Sequence, residues 1–538
     1  MLSRANRHHQ ANILLSVGLI AAFPLGIRAM AQRVVTSQYD NARTGANLGE
    51  TILTPRNVNA QQFGKLFTLK VDGDIYAQPL FLGGVEVPGK GRHDLVFIAT
   101  EHDSVYAFDA YGKPASPLWQ VSFLKDGVTP VSARNAECPF IFPEVGITST
   151  PVIDAESGTL YVLVRTKEHK GLLPDEYNQR LHALAVTTGL EKFGGPVDIQ
   201  ASISGHGAGS FGVGKLTFDP LTENPRASLL LANGTVYLTW GSSCDVGPYH
   251  GWVMAYGAHS LKQKAIFNAS PDADDSGFWA SDTGPAADKD GSVFLATGNG
   301  RFDAAKDGRD YGDSLLRLDG QSLKLDDYFA PFNVDQLDAN DNDLGSGGPM
   351  LLPDQPGPHP HLAVIAGKEG TIYLVDRDHL GHYHAADDSH AVQTISGRGG
   401  VFGSIAYWNH NVYALNESDA LRQFAVVNGR LSPKAATSNR FLGVSATPMV
   451  SADGAKNGVV WVLYSKGWNS PDRPAILYAY DAADVSHELY DSEQNSSRDR
   501  AGVALRFNMP TVANGHVYVG AKREVDVYGL LTQAQAAK

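Results

Sequence analysis

Two aspartates one residue apart, Asp341 and Asp343, close an acidic run that begins at Asp335. A carboxylate held in a pocket can take a proton from a hydroxyl group. The same run on a surface is only a solvated turn. Lys368 stands beside Glu369, where a cation either stabilises negative charge on a ligand oxygen or joins a surface ion pair of little energy. Asn299 sits between Gly298 and Gly300, a natural cap for a hairpin. Asp245 follows the run Gly241-Ser242-Ser243-Cys244, and a carboxylate in a loop that becomes buried needs a partner. Trp279 offers core packing or a flat face for a planar ring. The two cysteines, Cys138 and Cys244, read as one disulfide in an oxidising compartment. No Cys-x-x-Cys-His occurs, so the chain attaches no c-type haem, and zinc-finger spacings are absent. His206 and the group His379, His382 and His384 lie in Gly-rich or polar loops without further ligands, which weighs against a transition-metal site.

The elements that must position these groups repeat. A Pro or small-residue entry leads to an apolar strand, a Gly or Asn turn, a second strand with aromatics, and a third strand. Thr150-Pro151-Val152-Ile153-Asp154, then Gly158-Thr159-Leu160-Tyr161-Val162, then Leu181-His182-Ala183-Leu184 is one copy. Another runs from Gln78-Pro79-Leu80 through Val96-Phe97-Ile98-Ala99 to Ser104-Val105-Tyr106-Ala107-Phe108-Asp109. The order returns near Leu229, Gly284, Gly348, Gly403, Thr447 and Met509. β-Branched and aromatic residues between turn signals are what half-buried strands require, and no long helical period interrupts them between Arg33 and Leu531. The class is all-β. Radial repetition of four-stranded sheets solves the exposed-edge problem, so the expectation is an eight-bladed β-propeller; the degenerate third and sixth units leave seven or nine open. The eighth unit stops one strand short after Val525-Asp526-Val527-Tyr528, and a spare strand, Lys65-Leu66-Phe67-Thr68-Leu69, precedes the first. Pairing the two closes the ring.

At the N-terminus Arg4 and Arg7 precede an apolar run, Ile13 to Phe23, and then Ala29-Met30-Ala31. This is the pattern of a signal peptide over residues 1–31, too short to span a bilayer as a mature helix. The division expected is signal peptide 1–31, extension 32–62, propeller 63–531 and tail 532–538, with the mature chain periplasmic or secreted and without a membrane span. The net charge of −13, from 57 acidic and 44 basic residues, argues against nucleic acid as a partner.

Tyr106-Ala107-Phe108-Asp109-Ala110, then Gly112, then Leu118-Trp119 resembles the A-x-D-x-x-T-G-x-x-x-W signature of the pyrroloquinoline quinone (PQQ) repeat, and Thr188-Gly189 is a partial copy. Four further segments resemble quinoprotein alcohol dehydrogenases, in that family's order. They are Gly241-Ser242-Ser243-Cys244-Asp245 leading to Gly251-Trp252, then Ala296-Thr297-Gly298-Asn299-Gly300, then Asp341-Asn342-Asp343, then Lys368-Glu369-Gly370 with Tyr373-Leu374-Val375-Asp376-Arg377. The resemblance implies PQQ and Ca²⁺ as cofactors, with Asp343, or Asp341 in its place, as catalytic base. It implies Asn299, Asp343 and Asp245 around the metal and Lys368 on the quinone oxygens. Trp279 would lie under the ring, with Cys138 and Cys244 above the same pocket, although an ordinary structural staple explains the two cysteines as well. Departures from the family are the single Cys138 where two adjacent cysteines are usual, Val246 where glutamate aligns (leaving Asp245 one position off), Tyr76 in place of a glutamate, and Asn342 in place of tryptophan.

The chemistry needs such groups. Alcohol oxidation removes a hydroxyl proton as hydride leaves carbon; an aspartate takes the proton, Ca²⁺ polarises the quinone carbonyl and a lysine steadies its developing charge. The function implied is oxidation of an alcohol or sugar, with electrons passed to a separate acceptor. The alternatives are a non-catalytic propeller serving binding or assembly, which the departures favour, and a quinone-independent polysaccharide lyase or hydrolase using the carboxylates directly.

Overall fold

The computed structural model describes Met1, residues 32–444 and residues 446–536; the expected signal peptide, apart from Met1, lies outside the described residues. Among them the strands form eight sheets of four or more strands and one separate hairpin, Ser202–Ser204 with Lys215–Thr217. Each sheet is a blade, an antiparallel meander of consecutive strands. The first strands are Leu80–Val87, Val152–Asp154, Leu230–Ala232, Ala286–Ala287, Met350–Leu351, Ala406–Trp408, Met449–Asp453 and Thr511–Ala513. The repeat copies therefore map one to one on blades 1 to 8, and the degenerate third and sixth units form full blades. Helices are few and short, such as Val334–Ala339 between blades 4 and 5. Among the described residues no helix is long and apolar enough to cross a membrane.

The ring closes as the spare strand implies. Phe63–Lys70 pairs antiparallel with Glu524–Leu530, Lys65 opposite Tyr528 and Leu69 opposite Val525, and supplies the outer strand of blade 8.

The aromatic position in the second strand of the repeat has a second use besides filling the gap between blades. Tyr161, Tyr237, Tyr413 and Tyr518 each donate their hydroxyl to a carbonyl of the following blade, at Ala258, Gly320, Ala482 and Ala110 respectively. A buried tyrosine needs a partner for its hydroxyl, and here that need pins one blade to the next.

Residues 32–50 are built into the ring. They thread past the first strand of every blade and bond each one. Arg33 and Val34 pair with Leu82 and Phe81 of blade 1, and Val35 O accepts from Ile153 of blade 2. Asn41 donates to Leu231 O in blade 3 and accepts from Ala287 in blade 4. The carbonyls of Ala42, Thr44 and Gly45 accept from Leu351, Tyr407 and Val450 of blades 5, 6 and 7, and Asn47 donates to Val512 O of blade 8. Arg43 sits at 0% exposure and donates to Thr36 Oγ1, Ser37 O, Pro285 O and Leu229 O.

Candidate active site

The loops that leave the strands of blades 3, 4 and 5 meet at one open cavity of about 220 Å³. Cys138, Cys244, Asp245, Trp279, Asp341, Asp343 and Lys368 all line it, so seven of the eight residues singled out in the sequence come together there; Asn299 is bonded to one of them, Asp343.

Asp343 ends the blade 4–5 connection and is 2% exposed. Its Oδ1 accepts the Asn299 N–H at 2.7 Å, and its Oδ2 lies 2.5 Å from Lys368 Nζ. Its own carbonyl accepts the Lys368 N–H, which ties blade 5 to the connection. Burial pushes the Asp343 carboxyl up, and the neighbouring ammonium pulls it back only in part, leaving it at about 6. Lys368 also reaches Asp341 at 2.8 Å, whose side chain is 61% exposed. Burial lowers the Lys368 ammonium, but the two carboxylates outweigh it and hold its pKa above the ordinary lysine value.

Asn299 follows the second strand of blade 4, Val293–Ala296. Its N–H serves Asp343, while its Oδ1 is buried with no hydrogen-bond partner. Asp245 follows Cys244 with both residues at positive φ, and it accepts from Tyr249 OH at 3.1 Å. Burial, with Asp341 nearby, raises its carboxyl. Among the described residues no three His, Cys, Asp or Glu side chains converge in a way that could hold a metal ion.

Trp279 forms one wall, edge-on to Tyr249 at 5.8 Å between ring centroids, with its indole N–H buried and unpaired. Two glycines let it lie there. A methyl on Gly241 would press on the indole at 3.2 Å, and one on Gly298 would come within 2.3 Å of Asp343 Oδ1 and 2.6 Å of the indole nitrogen. Gly298→Ala is therefore expected to cost about 1–3 kcal/mol in urea unfolding and to shift the tryptophan emission; a variant with wild-type stability and spectrum would show that this crowding is relieved without cost.

The single disulfide joins Cys138 to Cys244 across 106 residues, with Cα atoms 5.4 Å apart, and both half-cystines line the cavity. Tyr76 is buried with Ile141 and Val145 in the adjoining apolar cluster and lines a small recess beside the cavity with Arg226 and Asp282. Sequence reasoning missed the opposite side of the cavity altogether. Arg226, Arg506, Phe507 and Phe140 line it, and Asp282 stands behind them. Burial raises Asp282 to about 7 in spite of both arginines.

As a set these groups suit a planar, negatively charged ligand. Lys368, Arg226 and Arg506 offer cations, Trp279 and the disulfide offer flat apolar surface, and the carbonyl oxygen of Asn299 and the carboxylate of Asp245 are hard donors of the kind Ca²⁺ takes.

With fold and geometry in hand, the chain is an eight-bladed propeller. No family model and no curated protein sequence matches it. Among solved structures it is similar to the quinohemoprotein alcohol dehydrogenase from Comamonas testosteroni, with a TM-score of 0.61 at 14% identity over 92% of this chain and 80% of that one. A quinohemoprotein alcohol dehydrogenase from Pseudomonas putida HK5 superposes with a TM-score of 0.60 at 14% identity, over 93% of this chain and 80% of that one. A europium-containing methanol dehydrogenase gives 0.57 at 12% identity, over 93% and 98%. At these identities the likeness carries the fold.

Proposed function

We propose that this chain is an exported quinoprotein-type oxidoreductase that oxidises an alcohol-bearing small molecule with PQQ and Ca²⁺ and hands the electrons to a separate acceptor. The observation that carries the reading is the buried Asp343–Lys368 pair, set beside the unpartnered Asn299 oxygen and facing the wall made by Trp279. Separate loops of three blades bring these residues together, which pure scaffolding does not require. Structural likeness to alcohol dehydrogenases and a methanol dehydrogenase supports it at the level of fold.

Asp343 would take the hydroxyl proton. With a pKa of about 6 it is mostly ionised at neutral pH yet basic enough to accept. Lys368 would hold negative charge where the electrons arrive, in a site dry enough for that charge to matter. Trp279 and the Cys138–Cys244 bridge would confine a flat ring between them, and Asn299, Asp245 and Asp343 would hold the metal. When bound, the quinone would supply the acceptor for the hydride, and with it for the two electrons, that no side chain here can supply.

The test is titration of the mature protein with PQQ in Ca²⁺, followed by quinone absorbance and thermal melting. One-to-one binding that weakens about tenfold or more in Lys368→Ala is expected, and no binding with Ca²⁺ or a lanthanide would refute the reading. A non-catalytic propeller is the second reading. What favours it is that both Asp343 oxygens are already engaged by the chain's own groups.

A further inference from the structure

The two fully buried arginines, Arg43 and Arg165, are held by hydrogen bonds within the chain, with only Arg165 Nε left over. Arg43 makes four hydrogen bonds, and Arg165 donates to Asn224 Oδ1 and to the Leu221 carbonyl. Arg226 and Arg506, both half-buried, are different. Arg226 lies 3.8 Å over the Phe507 ring, and Arg506 lies 4.1 Å over the same ring, 4.4 Å over Trp468 and 4.7 Å over Phe140. Aromatic faces thus fix both guanidinium planes and leave the N–H edges for something else. Among the described residues neither guanidinium forms an ion pair, and Arg226 Nη2 and Arg506 Nε are buried without a hydrogen-bond partner. Asp282 is felt electrostatically by both, yet its Oδ1 is itself buried and unpaired. Asp245 also acts on Arg226 from across the cavity without bonding it, and both arginines line the same cavity as Asp343 and Lys368.

Charge left unpaired at a half-buried site is costly, and two planar forks lining one cavity match the two oxygens of a carboxylate. We propose that Arg226 and Arg506 form a carboxylate-binding subsite, so that the ligand of this cavity is an acid. That much is independent of the oxidoreductase reading. On that reading, the carboxylate belongs to a hydroxy-acid substrate.

Two arms test this. In the first, calorimetry of the quinone-free protein with benzoate, and with benzamide as the neutral control, is expected to show saturable binding of benzoate alone. Affinity should fall about tenfold or more in Arg226→Met and in Arg506→Met, and less in Arg506→Lys, which keeps charge without the planar fork. Melting temperatures report whether each variant folds; a merely structural arginine would lower melting without changing the benzoate-to-benzamide ratio. No benzoate binding by the wild type at millimolar concentration overturns the subsite. In the second arm, PQQ-loaded protein is assayed with glycolate against ethylene glycol. A wild-type preference for glycolate that collapses in the Met variants assigns the carboxylate to the substrate. Weakened PQQ binding with an unchanged ratio overturns the proposal, because both arginines then serve the cofactor. Benzoate binding with no turnover of any alcohol would keep the subsite and remove the oxidoreductase reading.

Discussion

Asp343→Asn is expected to reduce turnover by about 10²–10⁴-fold while PQQ still binds and the protein melts no lower than the wild type does. The substitution keeps the side-chain shape, and its carbonyl can still accept the Asn299 N–H, so the T-G-N turn keeps its anchor. What it removes is the proton acceptor. The stability side follows from the raised pKa. Burial lifts the Asp343 carboxyl from 3.8 to about 6, so folding favours its protonated form. Its contribution to stability is greatest in acid and is lost as pH rises through about 6. At neutral pH the ionised group is a burden that Lys368 only partly relieves, and asparagine removes that burden. In the wild type kcat/KM should climb between about pH 5 and 7, as the base ionises with a pKa of about 6, and level off above. A variant with wild-type kcat, or a flat profile across that range, would take Asp343 out of the chemistry.

The second large effect falls far from the cavity. Arg43→Met is expected to cost at least about 3 kcal/mol in urea unfolding, because its removal strands buried acceptors at Thr36, Ser37, Pro285 and Leu229 at once. The matching change at Arg33, which is exposed, should stay within about 0.5 kcal/mol. An Arg43 variant within about 1 kcal/mol of the wild type would mean that the threaded segment is a passenger on the ring.

What could be read beforehand follows from how local each signal is. The eight units and the closing strand at Lys65–Leu69 declare themselves because a strand's alternation and its turn residues lie within ten positions of each other. The site residues of blades 3 to 5 were legible because each falls in a short phrase whose order along the chain could be compared. Arg226 and Arg506 were not, since they stand 280 positions apart in no phrase at all, and only ring closure brings blades 3 and 8 to one cavity. The segment 32–50 was equally opaque. Its bonds are mostly from backbone carbonyls, which every residue has, and Arg43 looks in the sequence like any surface arginine. The pairing of Lys368 with both aspartates also needed coordinates, because adjacent Glu369 was the nearer partner by sequence.

A ring of similar blades faces a problem of number, because each blade packs on its neighbour much as any other would, and local pairing alone does not say when to stop. The segment that visits every first strand supplies the answer as a tally. Between Arg33 and Asn47 it presents one docking point to each blade in turn, and the eighth falls where Phe63–Lys70 is about to join the last sheet. A seven-bladed ring would leave one docking point empty, and a nine-bladed ring would leave one blade untouched. Blade number in this protein is therefore written twice, once in the repeats and once, much more briefly, in the fifteen residues that come before them.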